Sequence, residues 1–141
     1  MSLSEILIPE GVTTIESYAF EGCSSLRYIV IPKSLREVGT SAFKDSAVNK
    51  RIKITSVEDY LKIQYPDYSI DPSCHPAYYG AGFEFQNLNA GYKLIIPKNI
   101  TKIHPHSFHG LEGDWAILNS IEIVLHDNIT EIGEYAFYRI S

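Results

Sequence analysis

The chain has 141 residues, 45% of them hydrophobic and 21% charged, and a net charge of −5. That length and composition suit one domain, residues 1–141, with a continuous core. The acidic balance argues against nucleic acid and against an anionic membrane surface, since both call for clustered Lys and Arg, and no run of eighteen apolar residues is present to insert directly into a bilayer.

The first phrase of the chain, IPEGVTTIESYAF, ends at Phe20. It returns as IPKSLREVGTSAF, IPKNITKIHPHSF and LHDNITEIGEYAF, ending at Phe43, Phe108 and Phe137. Such self-similarity predicts a repeat solenoid, mainly β, because one unit of this size cannot bury its own apolar face. Counting back from each Pro or its equivalent, Ile6 and Ile8, Ile29 and Ile31, Leu94 and Ile96, and Ile123 and Leu125 stand two apart, which places each pair on the inward side of a short strand. Further columns follow: Val12, Leu35, Ile100 and Ile129, then Ile15, Val38, Ile103 and Ile132, then the aromatic step. Four Phe in register are expected to form a spine, each worth about 1.5–3 kcal/mol of transfer free energy.

The intervals show where the pattern is interrupted. Phe20 to Phe43 is 23 residues, Phe43 to Phe108 is 65 and Phe108 to Phe137 is 29. Carrying the 23-residue register forward lands on Ile52 and Ile54 in RIKIT, a fifth strand whose Pro has become Thr55. Extra residues then fall between Thr55 and Lys93, and a few more around LEGDWA. Five short strands and one irregular insertion, about 56–92, are therefore predicted. Within the insertion, Ser56 with Asp59 three residues on is an N-cap pattern that starts a short helix with Val57, Tyr60 and Leu61 on its apolar face. Pro66, Asp71-Pro72 and His75-Pro76 keep the rest irregular. Both ends of the chain are ordinary internal repeats, so a fragment of a longer array is expected, with end-to-end association through its uncapped rungs.

The pattern LxxIxIPxxVxxIxxxAFxxC, read from Leu3 to Cys23 and again from Leu26 with Ser46 in place of Cys, resembles the BspA-type leucine-rich repeats. HPAYYGAGFEFQNLNAGYKLIIP resembles that family's elongated rung, in which a short hairpin precedes the next IP strand. Departures are His75 for the usual Asn, Thr55 and His126 for Pro, and His104-Pro105 where Gly and a polar residue are usual. The resemblance implies a leucine-rich-repeat stack on a cell-surface or secreted, adhesin-like protein, with a host or extracellular-matrix protein as partner.

Two surfaces are candidates for that partner. If the residues one and three before each Pro point inward, the residue between them points out, giving the column Leu7, Val30, Lys53, Ile95 and Val124. Beside it lie Glu5, Tyr28, Arg51, Lys93 and Glu122, so an apolar strip with a charged margin is expected on the open sheet face. β-branched residues also suit strands whatever they face. The second surface is the insertion, which with Tyr92 holds six of the ten tyrosines: Tyr60, Tyr65, Tyr68, Tyr78, Tyr79 and Tyr92. Tyr is favoured at interfaces for its rigid apolar body and polar tip. The same rings could instead pin the insertion to the stack, as a purely structural spacer would require.

Chemistry finds little support. No nucleophile elbow or phosphate-cradling Gly loop is present, so no enzyme and no cofactor is expected. His104, His106 and His109, with Cys74-His75, are soft ligands, but in the repeat register the three His fall at outward or turn positions without a common focus, and no metal is expected. Cys23 occupies a repeat column and reads as a buried thiol; its pairing with Cys74 has no framework of spacings behind it.

Overall fold

The computed structural model describes residues 4–46, 50–67, 72–79, 81–85, 93–109 and 122–138. In chain order its elements are β1 (Glu5–Leu7), β2 (Thr14–Ile15), β3 (Tyr28–Ile31), β4 (Glu37–Val38), β5 (Lys50–Ile54), α1 (Val57–Leu61), a 3-10 turn (Pro72–Cys74), β6 (Ala81–Phe85), β7 (Lys93–Ile95), β8 (Lys102–Ile103), β9 (Glu122–Val124) and β10 (Glu131–Ile132). Strands β1, β3, β5 and β6 form one parallel sheet in that order, and β7 pairs in parallel with β9. A second set of short parallel pairings, β2 with β4 and β8 with β10, follows one turn after β1, β3, β7 and β9.

The register is that of the apolar columns. Ile6 stands opposite Ile29, Ile29 opposite Ile52, and Leu94 opposite Ile123. Ile29, Ile31, Ile52, Ile54, Leu94 and Ile96 are buried, with Leu35, Val38, Ile100 and Ile103 beneath them.

The repeat strands number six among the described residues, not the five expected. Strand β6 was hidden because its inward pair is Phe83 and Phe85 instead of two aliphatics, yet Phe83 stands opposite Ile52 and Phe85 opposite Ile54. The spacing of two is kept while the residue class changes. The hairpin expected ahead of β7, the LEGDWA segment, Tyr68 and Tyr92 lie outside the described residues.

Much of segment 56–79 continues the stack. Ser56 caps α1 by accepting from the Asp59 N–H at 3.2 Å, and Tyr60 and Leu61 are buried. After the helix, Gln64 N–H donates to Arg36 O at 2.8 Å and Val38 N–H to Gln64 O at 3.0 Å, which sets Gln64 opposite Glu37 and Tyr65 opposite Val38. The Phe43 N–H then donates to Ser73 O at 3.1 Å, as Phe20 N–H does to Ala42 O at 2.8 Å.

That last correspondence corrects the aromatic spine. It puts Cys74 where the next Phe would stand, so the four Phe form two stacked pairs instead of one column: Phe20 with Phe43 at 5.3 Å and Phe108 with Phe137 at 5.6 Å between ring centroids. Tyr60 and Phe83 fill the middle, each 5.9 Å from Phe108. Two inward assignments also change. Leu125 is 42% and Ile132 49% exposed, whereas their counterparts in the first rung, Ile8 and Ile15, are buried.

One backbone feature recurs in the turn before each Phe. Tyr18, Ser41, His106 and Tyr135, each two residues ahead of it, have φ of 62°, 52°, 62° and 59°. This left-handed step is uncommon for residues other than Gly and turns the chain so that the Phe points towards the stack.

Candidate interaction surfaces

The open sheet face is built by strand alternation. Because Ile6 and Ile8 face in, Leu7 faces out and is 64% exposed; by the same logic Ile95 is 53% exposed. Leu7 lies opposite half-buried Val30, and Ile95 opposite half-buried Val124. Between these apolar pairs the parallel ladder brings Lys53 opposite Glu84, a residue of the unexpected strand β6. The strip is thus two apolar patches, Leu7 with Val30 and Ile95 with Val124, and a charged step.

The margin is polar and bonded across strands. Tyr28 lies opposite Arg51, and its hydroxyl reaches past that strand to Glu84 Oε2 at 3.4 Å. Burial, and then the Glu84 carboxylate, raise the Tyr28 hydroxyl above its ordinary pKa, so it stays a neutral donor. Lys93 and Glu122 pair at 3.3 Å on the neighbouring sheet.

The tyrosines divide differently from the sequence reading. Tyr60 is buried, and Tyr65, Tyr78 and Tyr79 are half-buried. Tyr65 lies against His75 at 4.7 Å and His104 at 5.7 Å; Tyr79 accepts from the Asp45 N–H at 3.1 Å. The tyrosines most open to water are turn residues instead: Tyr18 at 54%, Tyr135 at 48% and Tyr138 at 46%. Two of these extend a continuous run of rings, Tyr79 to Tyr78 to His106, then Tyr135 and Tyr138. The repeat register carries the signal for this run, because Tyr18, His106 and Tyr135 share one turn position.

The histidines separate into roles. His75 Nδ1 accepts from the Ala77 N–H at 3.0 Å, which fixes its hydrogen on Nε2, facing the Tyr60 hydroxyl at 3.5 Å. His104 turns towards Tyr65, and burial lowers its pKa. His106 and His109 meet at 3.2 Å through their Nδ1 atoms; burial, then the neighbouring His109, push His106 down to about 4. No group of three or more His, Cys, Asp or Glu converges among the described residues. Cys23 and Cys74 are both buried, and they are not joined in a disulfide.

A family model described as BspA type leucine rich repeat region matches residues 1–65 and 82–141, in six copies. The chain belongs to this family. Six copies agree with the six strands β1, β3, β5, β6, β7 and β9. The unmatched stretch between the two spans holds the turn where Cys74 replaces Phe. No curated protein and no solved structure gives a match. BspA-type repeats are a non-catalytic repeat type that generally mediates protein–protein interaction and is typically surface-associated. No helix among the described residues is long and apolar enough to cross a membrane.

Proposed function

We propose that this BspA-type chain is a protein-interaction module, adhesin-like, of a cell-surface or secreted repeat protein. Its rungs stack as a single solenoid, and the open sheet face takes a protein partner of a host surface or extracellular matrix. The observation that carries the reading is the outward placement of Leu7 and Ile95, both more than half exposed, beside Val30 and Val124 and within a margin of charged side chains. Large apolar side chains held in water by strand register cost hydration free energy and contribute nothing to the core, which is the profile of a contact surface. Tyr28 at the margin, and Tyr78 and Tyr79 on the turn edge, extend that surface, together with Tyr68 and the exposed part of Tyr65.

The partial burial of Tyr65, Tyr78 and Tyr79 favours a second reading, a structural spacer whose insertion is pinned to the stack. Capture from a panel of purified extracellular-matrix proteins separates the two, using the native chain beside a Leu7→Lys, Ile95→Lys double variant. Capture by the native chain, lost in a variant of unchanged circular dichroism, is the expected result. No capture by either chain supports the spacer, and equal capture by both removes the sheet face from the reading.

A further inference from the structure

The left-handed turn does more than aim a Phe. In each rung its first residue accepts a backbone bond from the residue three on: Glu21 N–H to Tyr18 O, Lys44 to Ser41 and His109 to His106, each at 3.1 Å, and Tyr138 to Tyr135 at 3.2 Å. In the last two rungs the side chains of that pair meet, His106 with His109 at 5.3 Å and Tyr135 with Tyr138 at 5.2 Å between ring centroids. In the rung ending at Phe108 both are imidazoles, and their Nδ1 atoms are 3.2 Å apart.

That separation matches a chelate bite. An imidazole nitrogen lies about 2.0–2.1 Å from a bound transition metal, so two of them on one ion are about 2.9 Å apart at a right angle and about 3.4 Å apart in a tetrahedron. The rings are also held in place from outside the pair. His106 stacks on Tyr135 at 5.4 Å and 22° and meets the edge of Tyr78 at 5.1 Å, while His109 meets Tyr138 at 5.2 Å. Side chains fixed in this way lose little rotamer freedom when they take a ligand.

We propose that His106 and His109 form a two-imidazole chelate for a divalent transition-metal ion, with Cu²⁺ held in preference to Ni²⁺ or Zn²⁺ and water completing its coordination. The order follows from imidazole donors and the general affinity series of these ions. Without metal, one Nδ1–H donates to the other Nδ1. With metal, both Nδ1 lone pairs are used and both rings carry their hydrogen on Nε2, so the donor ring changes tautomer and no proton is lost from the pair.

The test is a Cu²⁺ titration of the intact chain at pH 7, read by electron paramagnetic resonance, beside His109→Gln, His106→Gln and, as a control away from the turn, His126→Gln. The expected result is one saturable equivalent of Cu²⁺ with coupling to two imidazole nitrogens, kept in His126→Gln and lost in His109→Gln at unchanged circular dichroism. Should His106→Gln fail to fold, His109→Gln decides alone. Absence of saturable binding, or binding that His109→Gln leaves unchanged, overturns the chelate.

Discussion

The Tyr60 hydroxyl donates to the carbonyl oxygen of Ser107, 47 residues further along the chain. The bond ties helix α1 to the turn that carries Phe108, inside a group of rings formed by Tyr60, His75, Phe83 and Phe108. Burial raises the Tyr60 pKa well above 10, which keeps its proton available to the carbonyl. Tyr60→Phe leaves the Ser107 carbonyl buried without this donor and is expected to cost about 1–3 kcal/mol. Tyr60→Ala also opens a cavity and should cost about 3–5 kcal/mol. Urea unfolding measures both; a Phe variant as stable as the native chain would show that the bond contributes nothing net.

Gly39 and Gly133 are needed for lack of a side chain. A Cβ on Gly39 would stand 2.4 Å from the backbone N of Ser17, and one on Gly133 would stand 2.3 Å from the N of Pro105. Both neighbours are backbone of the preceding rung, which cannot swing aside. Gly39→Ala and Gly133→Ala should each destabilise by about 1–3 kcal/mol through forced separation of two rungs. Gly11→Ala is the contrast: nothing lies within 4 Å, and only its φ of +103° resists a side chain. Thermal melts of all three variants test whether crowding, absent at Gly11, sets the cost at the other two.

Tyr18 shows the left-handed step with little packing to confuse it, being 54% exposed with φ of 62°. Asn tolerates this conformation and Val does not. Tyr18→Asn should therefore stay within about 0.5 kcal/mol of the native chain, while Tyr18→Val should lose about 1–2 kcal/mol. Equal melting temperatures for the two variants would mean that the turn relaxes out of the left-handed region.

Glu58 gives a pH signature. The Lys62 ammonium, hydrogen-bonded at 2.8 Å, and then the Asn99 amide at 2.7 Å hold its carboxyl below the ordinary value of 4.5. A depressed carboxyl binds its proton more readily in the unfolded chain, so its contribution is fully present above about 4.5 and is lost as pH falls through the lower folded value. The melting temperatures of the native chain and Glu58→Gln should differ at pH 6 and converge in acid. The gap should also shrink in high salt, since both partners face solvent.

The fold was legible where the repeat keeps residue class and lost where it keeps only geometry. Ile52 and Ile54 were found by counting forward from the aliphatic columns, and the Ser56 cap by its side chain. Strand β6 escaped because Phe83 and Phe85 satisfy the spacing of two with aromatic rings. Cys74 could not be recognised as the occupant of a Phe position, because the backbone bond from Phe43 to Ser73 that identifies it spans 30 residues of sequence. On the surface, Leu7 and Ile95 followed from alternation alone. The meeting of His106 and His109 did not, because a left-handed turn, not a strand or helix period, sets them side by side.

The bond from Phe43 to Ser73 also bears on how such a chain can change. The ladder passes from one rung to the next through main-chain atoms, and away from the close approaches at Gly39 and Gly133 these recognise a neighbour by position more than by side chain. A rung can accordingly lengthen, acquire a helix or exchange Phe for Cys while the rungs on either side keep their footing. New surface can be written into the middle of the array one rung at a time, and the cost of each trial is confined to the two junctions that border it.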